Sequence, residues 1–174
     1  MNEIILASKS KVRKEILNSN GIHCDVFPSN VDEESIKTSL IKENATPEII
    51  SKNLAELKAN KVSAKFSDKL VIGADSVIDL NGKIISKPAN RAEAMDILKL
   101  LNGKPHFLIS SVCISKGGTM IWNYTDKAQL FMKEFKQKEL ENYLSKLSDE
   151  ALYAYNVYQI EGLGKILFSE IRGD

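Results

Sequence analysis

The chain has 174 residues, with 24 Lys plus Arg against 23 Asp plus Glu and a formal net charge of +1. This balance excludes a polybasic nucleic-acid arm and an acidic tail, and 43% hydrophobic with 27% charged residues suits a soluble globular chain of one domain, or of two small lobes sharing a core. Two cysteines, Cys24 and Cys113, with no CxxC, and two histidines, His23 and His106, are too few for a disulfide framework or a structural zinc site.

Residues 4–7 read as a short buried strand. Residues 10–18 read as a helix capped by Ser10, with Ile16 and Leu17 turned inward and Asn20-Gly21 as its stop. Residues 22–27 follow as a second strand ended by Pro28, and the polar stretch 29–46 reads as a loop or short helix. From 47 to 66, Ile50, Leu54, Leu57 and Val62 recur near the helical period. The unbroken apolar run 70–74 predicts a central strand that leads into Asp75 and a hairpin. Val77, Ile78 and Leu80 precede the Asn81-Gly82 turn, Ile84 and Ile85 return, and Pro88 ends the pairing. Counted from that turn, Leu80 faces Lys83 and Ser76 faces Lys87. A helix over 92–101, strands over 106–115 and 119–130 around Gly117-Gly118, a helix over 137–147 and a final segment over 158–174 complete the chain. This alternation predicts an α/β fold, a mixed central sheet with flanking helices. No apolar stretch approaches the length of about 18 residues needed for a membrane-spanning helix, and the run over 4–7 is too short for a signal peptide. The expected location is cytoplasmic.

Three places do not serve folding alone. Lys9, Lys11, Arg13 and Lys14 crowd the start of the first helix, where the dipole favours acids. With the Ser8 and Ser10 hydroxyls and free helix N–H groups, they make a ready phosphate site, a solvated basic face being the plain alternative. Asp75 directly follows a buried apolar strand, although burying a carboxylate is costly without a partner. A carboxylate at a strand end suits catalysis or metal binding, and a turn cap is the plain alternative. Lys87 is held extended by Pro88 and is delivered by the hairpin to the same end of the ladder as Asp75. Bringing both into one pocket requires a bulge or a break before Pro88. Val31-Asp32-Glu33-Glu34 adds an acidic loop able to offer oxygens to a hard divalent cation. Lys58 lies on the 47–66 helix, where a solvent-facing lysine is the default. With no Ser-His-Asp set, P-loop or GxGxxG, the chemistry left is metal-assisted attack of water on a phosphoanhydride.

These residues together resemble the Maf family of nucleotide pyrophosphatases. Leu6-Ala7-Ser8-Lys9-Ser10-Lys11-Val12-Arg13 is similar to that family's L-A-S-x-S-P-x-R, with Lys11 in place of Pro. Val31-Asp32-Glu33 resembles its V-D-E, Leu54-Ala55 with Lys58-Ala59 its L-A-x-x-K-A, Gly73-Ala74-Asp75-Ser76 its G-A-D-T, and Lys87-Pro88 its K-P. Leu101-Asn102-Gly103 with His106 and Ser110, and Tyr158-Gln159-Ile160-Glu161-Gly162-Leu163-Gly164, resemble two further family stretches. Tyr155-Asn156 departs from the usual Ala-Gly.

The resemblance implies a Maf/ITPase-like fold with two lobes around a nucleotide-binding cleft, often a homodimer. It implies hydrolysis of nucleoside triphosphates, modified ones included, to the monophosphate and pyrophosphate with Mg²⁺ or Mn²⁺. Asp75 falls on the catalytic and metal-binding acid, Glu33 on a second metal acid, Ser8, Arg13, Lys58 and Lys87 on phosphate-facing positions, and Ser76 and Glu161 on positions tied to substrate choice. The family pattern runs on past Gly173-Asp174, so residues 1–174 are expected to form a single Maf-like domain lacking that C-terminal segment. Neither a membrane nor a nucleic acid is expected as a partner. The alternative function is a regulatory nucleotide- or nucleic-acid-binding protein linked to cell division, with little or no turnover.

Overall fold

A computed structural model describes residues 3–173. In chain order the elements are β1 (Ile4–Leu6), α1 (Lys11–Ser19), β2 (Asp25–Val26), α2 (Glu33–Lys42), α3 (Pro47–Ser63), β3 (Leu70–Leu80) and β4 (Lys83–Ile85). Then come α4 (Arg91–Leu101), β5 (Pro105–Lys116), β6 (Thr119–Met132), α5 (Gln137–Ser145), α6 (Asp149–Tyr155), a 3₁₀ turn at Leu163–Leu167 and β7 (Phe168–Arg172). The strands form one mixed sheet in the order β2-β1-β3-β5-β6-β7, with β4 attached to β3. β1 runs parallel to β2 and β3, whereas β3–β4 and β6–β7 are antiparallel.

The chain divides into two compact units, through both of which β3, β5 and β6 run. The first holds residues up to Ser76 and Ile109–Asp126. Its core packs Ile5, Ala7, Val62 and Val71 against Phe66, and Ala55, Ala59 and Cys113 against Met120. The second holds Val77–Leu108 and the residues from Lys127 on. Its core is larger and includes Leu98, Leu101, Leu130, Leu140, Leu152 and Leu167, all buried. At about 1.5–3 kcal/mol for each fully buried large aliphatic side chain, it is the main apolar contribution of that unit.

α3 begins with Thr46 accepting from the Ile49 N–H and Pro47 in its first turn, and it buries Ile50, Leu54 and Val62 as the periodicity predicts. Leu57 instead stays 40% exposed.

Local expectations hold in part and change in part. Of the two readings of the stretch 29–46 the helix holds: Asp32 caps α2, and Glu33 and Glu34 occupy its first turn, where the dipole favours acids. Ile16 is 46% exposed and α1 buries no residue, so its caps and its Arg13 contacts hold it rather than an apolar face. The second strand shrinks to two residues because its partner β1 pairs with it through Ile5 and Leu6. The hairpin ladder keeps Leu80 opposite Lys83 but stops at Ile78–Ile85, short of the expected Ser76–Lys87 register. The helix expected over 137–147 forms as α5, and α6, capped by Ser148, is a helix that the sequence reading did not place.

Candidate functional site

The first unit gathers five of the sequence-predicted residues. Ser10 caps α1 by accepting from the Arg13 N–H, which aims the Arg13 side chain back over the preceding turn. There Nη1 of Arg13 donates to the Ser8 hydroxyl at 3.2 Å and to the Ala74 carbonyl at 2.9 Å, tying the α1 entrance to the backbone beside Asp75.

Asp75 does not sit at a strand tip. β3 continues through it to Leu80, and the residue is 6% exposed. Side chains alternate along a strand, so Val71, Gly73 and Asp75 share one face, and Gly73 meets α3. A Cβ on Gly73 would lie 2.7 Å from the Ala59 nitrogen and 2.9 Å from its Cβ, so only glycine admits this approach. One helical turn from Ala55, Lys58 is thereby laid against β3. Its ammonium donates to Asp75 Oδ1 at 2.8 Å and pairs with Glu33 Oε1 at 3.0 Å. The default of a solvent-facing lysine fails here: Lys58 is 5% exposed because it occupies the buried stripe with Ala55, Ala59 and Val62.

The outcome is a cation held between two carboxylates. Desolvation pushes the Asp75 carboxyl above its ordinary value of 3.8, against the pull of Lys58 and, more weakly, Arg13, while Glu33 adds to the rise. Among the described residues, the buried Asp75 Oδ2 has no hydrogen-bond partner. The Ser51 hydroxyl donates to the Asp75 carbonyl at 3.1 Å. Sequence reasoning missed Ser51, although it lies on the Ala55–Lys58 stripe of α3 and the helical period was enough to place it.

Ser76 points to the opposite side of β3 and shares a 2.9 Å hydrogen bond with the Ser110 hydroxyl of β5. Lys87 and Glu161 belong to the second unit, and both are exposed. That unit also holds a cavity of about 240 Å³ lined by residues that include Lys146, Tyr155, Asn156 and Gln159, and none of the predicted site residues. No group of three or more His, Cys, Asp or Glu stands together as a metal site among the described residues.

The sequence from residue 3 to 174 matches the family model described as Maf-like protein. The chain is 70% identical over 174 residues to a nucleoside triphosphate pyrophosphatase of Pelagibacter ubique, covering 100% of this chain and 89% of the relative. It is 33% identical to a 7-methyl-GTP pyrophosphatase of Rhizobium etli, covering 99% of this chain and 86% of the relative. A solved HAM1 protein from Coxiella burnetii shares the fold at a TM-score of 0.51 and 14% identity, covering 76% of this chain and 73% of its own. The ordered motifs and the match along nearly the whole chain lead to one conclusion: this chain belongs to the Maf family.

Proposed function

We propose that the chain hydrolyses nucleoside triphosphates to the monophosphate and pyrophosphate. The relatives named as such enzymes support this reading over a purely regulatory role. The observation that carries it in the structure is Asp75, a buried acid with one unpartnered oxygen beside the Lys58 and Arg13 cations. Satisfied buried groups are the rule, so an unpartnered carboxylate oxygen calls for a water or cation from outside the chain.

In this reading Asp75 takes a proton from the water that attacks the α-phosphorus. The bond from that phosphorus to the bridging oxygen breaks, and pyrophosphate leaves. The raised carboxyl suits the role, because a base nearer the working pH accepts a proton more readily. Arg13 and Lys58 neutralise charge on the triphosphate, and the Ser8 hydroxyl contributes a hydrogen bond. Ser76 bears on the choice of base.

The donor set also fits a hard divalent cation such as Mg²⁺ or Mn²⁺. Magnesium is commonly held by one or two carboxylates plus substrate phosphates, and Asp75 and Glu33 already converge on one positive charge, the Lys58 ammonium. When bound, such an ion would polarise the phosphoryl group and offset its charge.

The test is pyrophosphate release over a panel of ordinary and methylated triphosphates, with Mg²⁺ and with a chelator. Release that needs the cation is expected. Nucleotide binding without release would support the regulatory alternative and reject hydrolysis.

A further inference from the structure

Asp75 stands just beyond the point where β3 loses β1. The β1–β3 ladder ends at Leu6 opposite Ile72, and the Ala7 N–H makes one further bond, to the Ile72 carbonyl at 2.8 Å. β3 itself runs on to Leu80. Past Ile72, side chains reach the β3 carbonyls. The Ala74 carbonyl accepts from Arg13 Nη1 at 2.9 Å and from the Lys58 ammonium at 3.4 Å, and the Asp75 carbonyl accepts from the Ser51 hydroxyl at 3.1 Å. These two carbonyls belong to the peptide planes on either side of the Asp75 Cα, so the backbone that carries the acid is gripped before and after it.

Ser51 and Lys58 lie two turns apart on one face of α3, and both are buried. Long helical side chains lean toward the helix N-terminus, which carries the Lys58 ammonium back toward Ser51. α3 therefore holds Asp75 twice, by its main chain through Ser51 and by Oδ1 through Lys58 at 2.8 Å. A serine within a helix can close on the carbonyl four residues before it. The Ser51 hydroxyl instead donates across to β3. Packing alone asks for no hydroxyl at a position with 0% exposure, on a stripe whose neighbouring members are Ala55 and Ala59.

We propose that Ser51 is a positioning residue for Asp75: it fixes the peptide from which the carboxylate springs and so keeps Oδ2, which lacks a partner among the described residues, aimed at the attacking water. This rests on the proposed hydrolysis with Asp75 as its base. Ser51 acts through Asp75 and not on the substrate. Misplacing a reacting group by about 1 Å can cost about 10²-fold in rate, so a buried hydroxyl behind the acid is felt in turnover.

The test compares Ser51→Ala, Ser51→Thr, and Ser51→Ala placed on Asp75→Asn, with melting temperature, kcat and KM for the best triphosphate of the panel as readouts. Ser51→Ala removes one hydrogen bond and should fold, with a melting temperature lower by about 2–4 °C. Its kcat should fall about tenfold while KM stays within about twofold, because the lost alignment is needed only at the reacting centre. Ser51→Thr keeps the hydroxyl but adds a methyl to a filled site. Its melting temperature should fall at least as far, with kcat within about threefold of the unaltered protein's. On Asp75→Asn, which has already lost the base, Ser51→Ala should lower kcat by no more than about twofold further.

Unchanged kcat in Ser51→Ala would overturn the proposal and leave Ser51 a tie between helix and strand. So would a threonine variant as slow as the alanine one, since turnover would then follow packing and not the hydroxyl. A full further loss on Asp75→Asn would also overturn it, by showing that Ser51 acts on something other than the acid. Failure of the hydrolysis reading is seen separately, as no pyrophosphate release from the unaltered protein, and it would take the proposal with it.

Discussion

Asp75 in the first unit and His106 in the second are both buried titratable side chains on long strands of one sheet, in opposite company. Asp75 stands among charges, bonded to Lys58 at 2.8 Å, with Arg13 and Glu33 acting on it. His106 stands among rings: it shares a 3.0 Å hydrogen bond with the Tyr158 hydroxyl and packs near Phe168. Desolvation raises the acid and lowers the base, keeping both toward neutrality.

Their pH signatures therefore run in opposite directions. The Asp75 contribution to stability is full below its unfolded value of 3.8 and is lost as pH rises through its higher folded value. That of His106 is full above 6.5 and is lost as pH falls through its lower folded value. Burial alone does not separate the two groups; the charges around Asp75 do.

The sharpest way to break this contrast is at Asp75. Asp75→Asn should keep nucleotide binding while kcat falls about 10²–10⁴-fold, the usual cost of losing a general base. Retained turnover would place Asp75 in the structural class with His106. The same comparison predicts that the acid limb of kcat/KM lies above the ordinary carboxylate value of 3.8, read from a pH profile of pyrophosphate release.

Next in size is Lys58→Met, which removes the cation between two acids and should destabilise the protein by about 3–5 kcal/mol, as broken buried pairs do. Denaturant unfolding measures it, and a loss under about 1 kcal/mol would mean that the pair is hydrated like a surface one. Gly73→Ala should cost about 1–3 kcal/mol through the clash with α3 and lower activity by displacing Lys58, with both measured on the same preparation. The smallest effect belongs to His106→Gln, which should flatten the fall of melting temperature with pH below 6.5 and leave KM unchanged.

The sequence announced the strand, the helix and the family motifs because each is a local pattern: an apolar run at 70–74, a helical period over 47–66, an Asn-Gly turn. Pairing next to that turn was also legible, with Leu80 opposite Lys83, since a two-residue turn dictates it. The point where pairing ends was not, because it depends on where the chain after Ile85 is held by Asn156, 70 residues away. Lys58 was misread for a similar reason. Its place on the buried stripe was visible, but its partners Glu33 and Asp75 come from a helix start and a strand far along the chain. The acidic stretch at 31–34 hid a helix because Asp32 serves as a cap, a role that composition alone does not separate from a loop.

The ammonium wedged between Glu33 and Asp75 has a consequence for the resting protein. Its positive charge offsets the repulsion between the two facing acids from within the fold. A divalent ion held by the same two acids would have to compete with that ammonium for their oxygens.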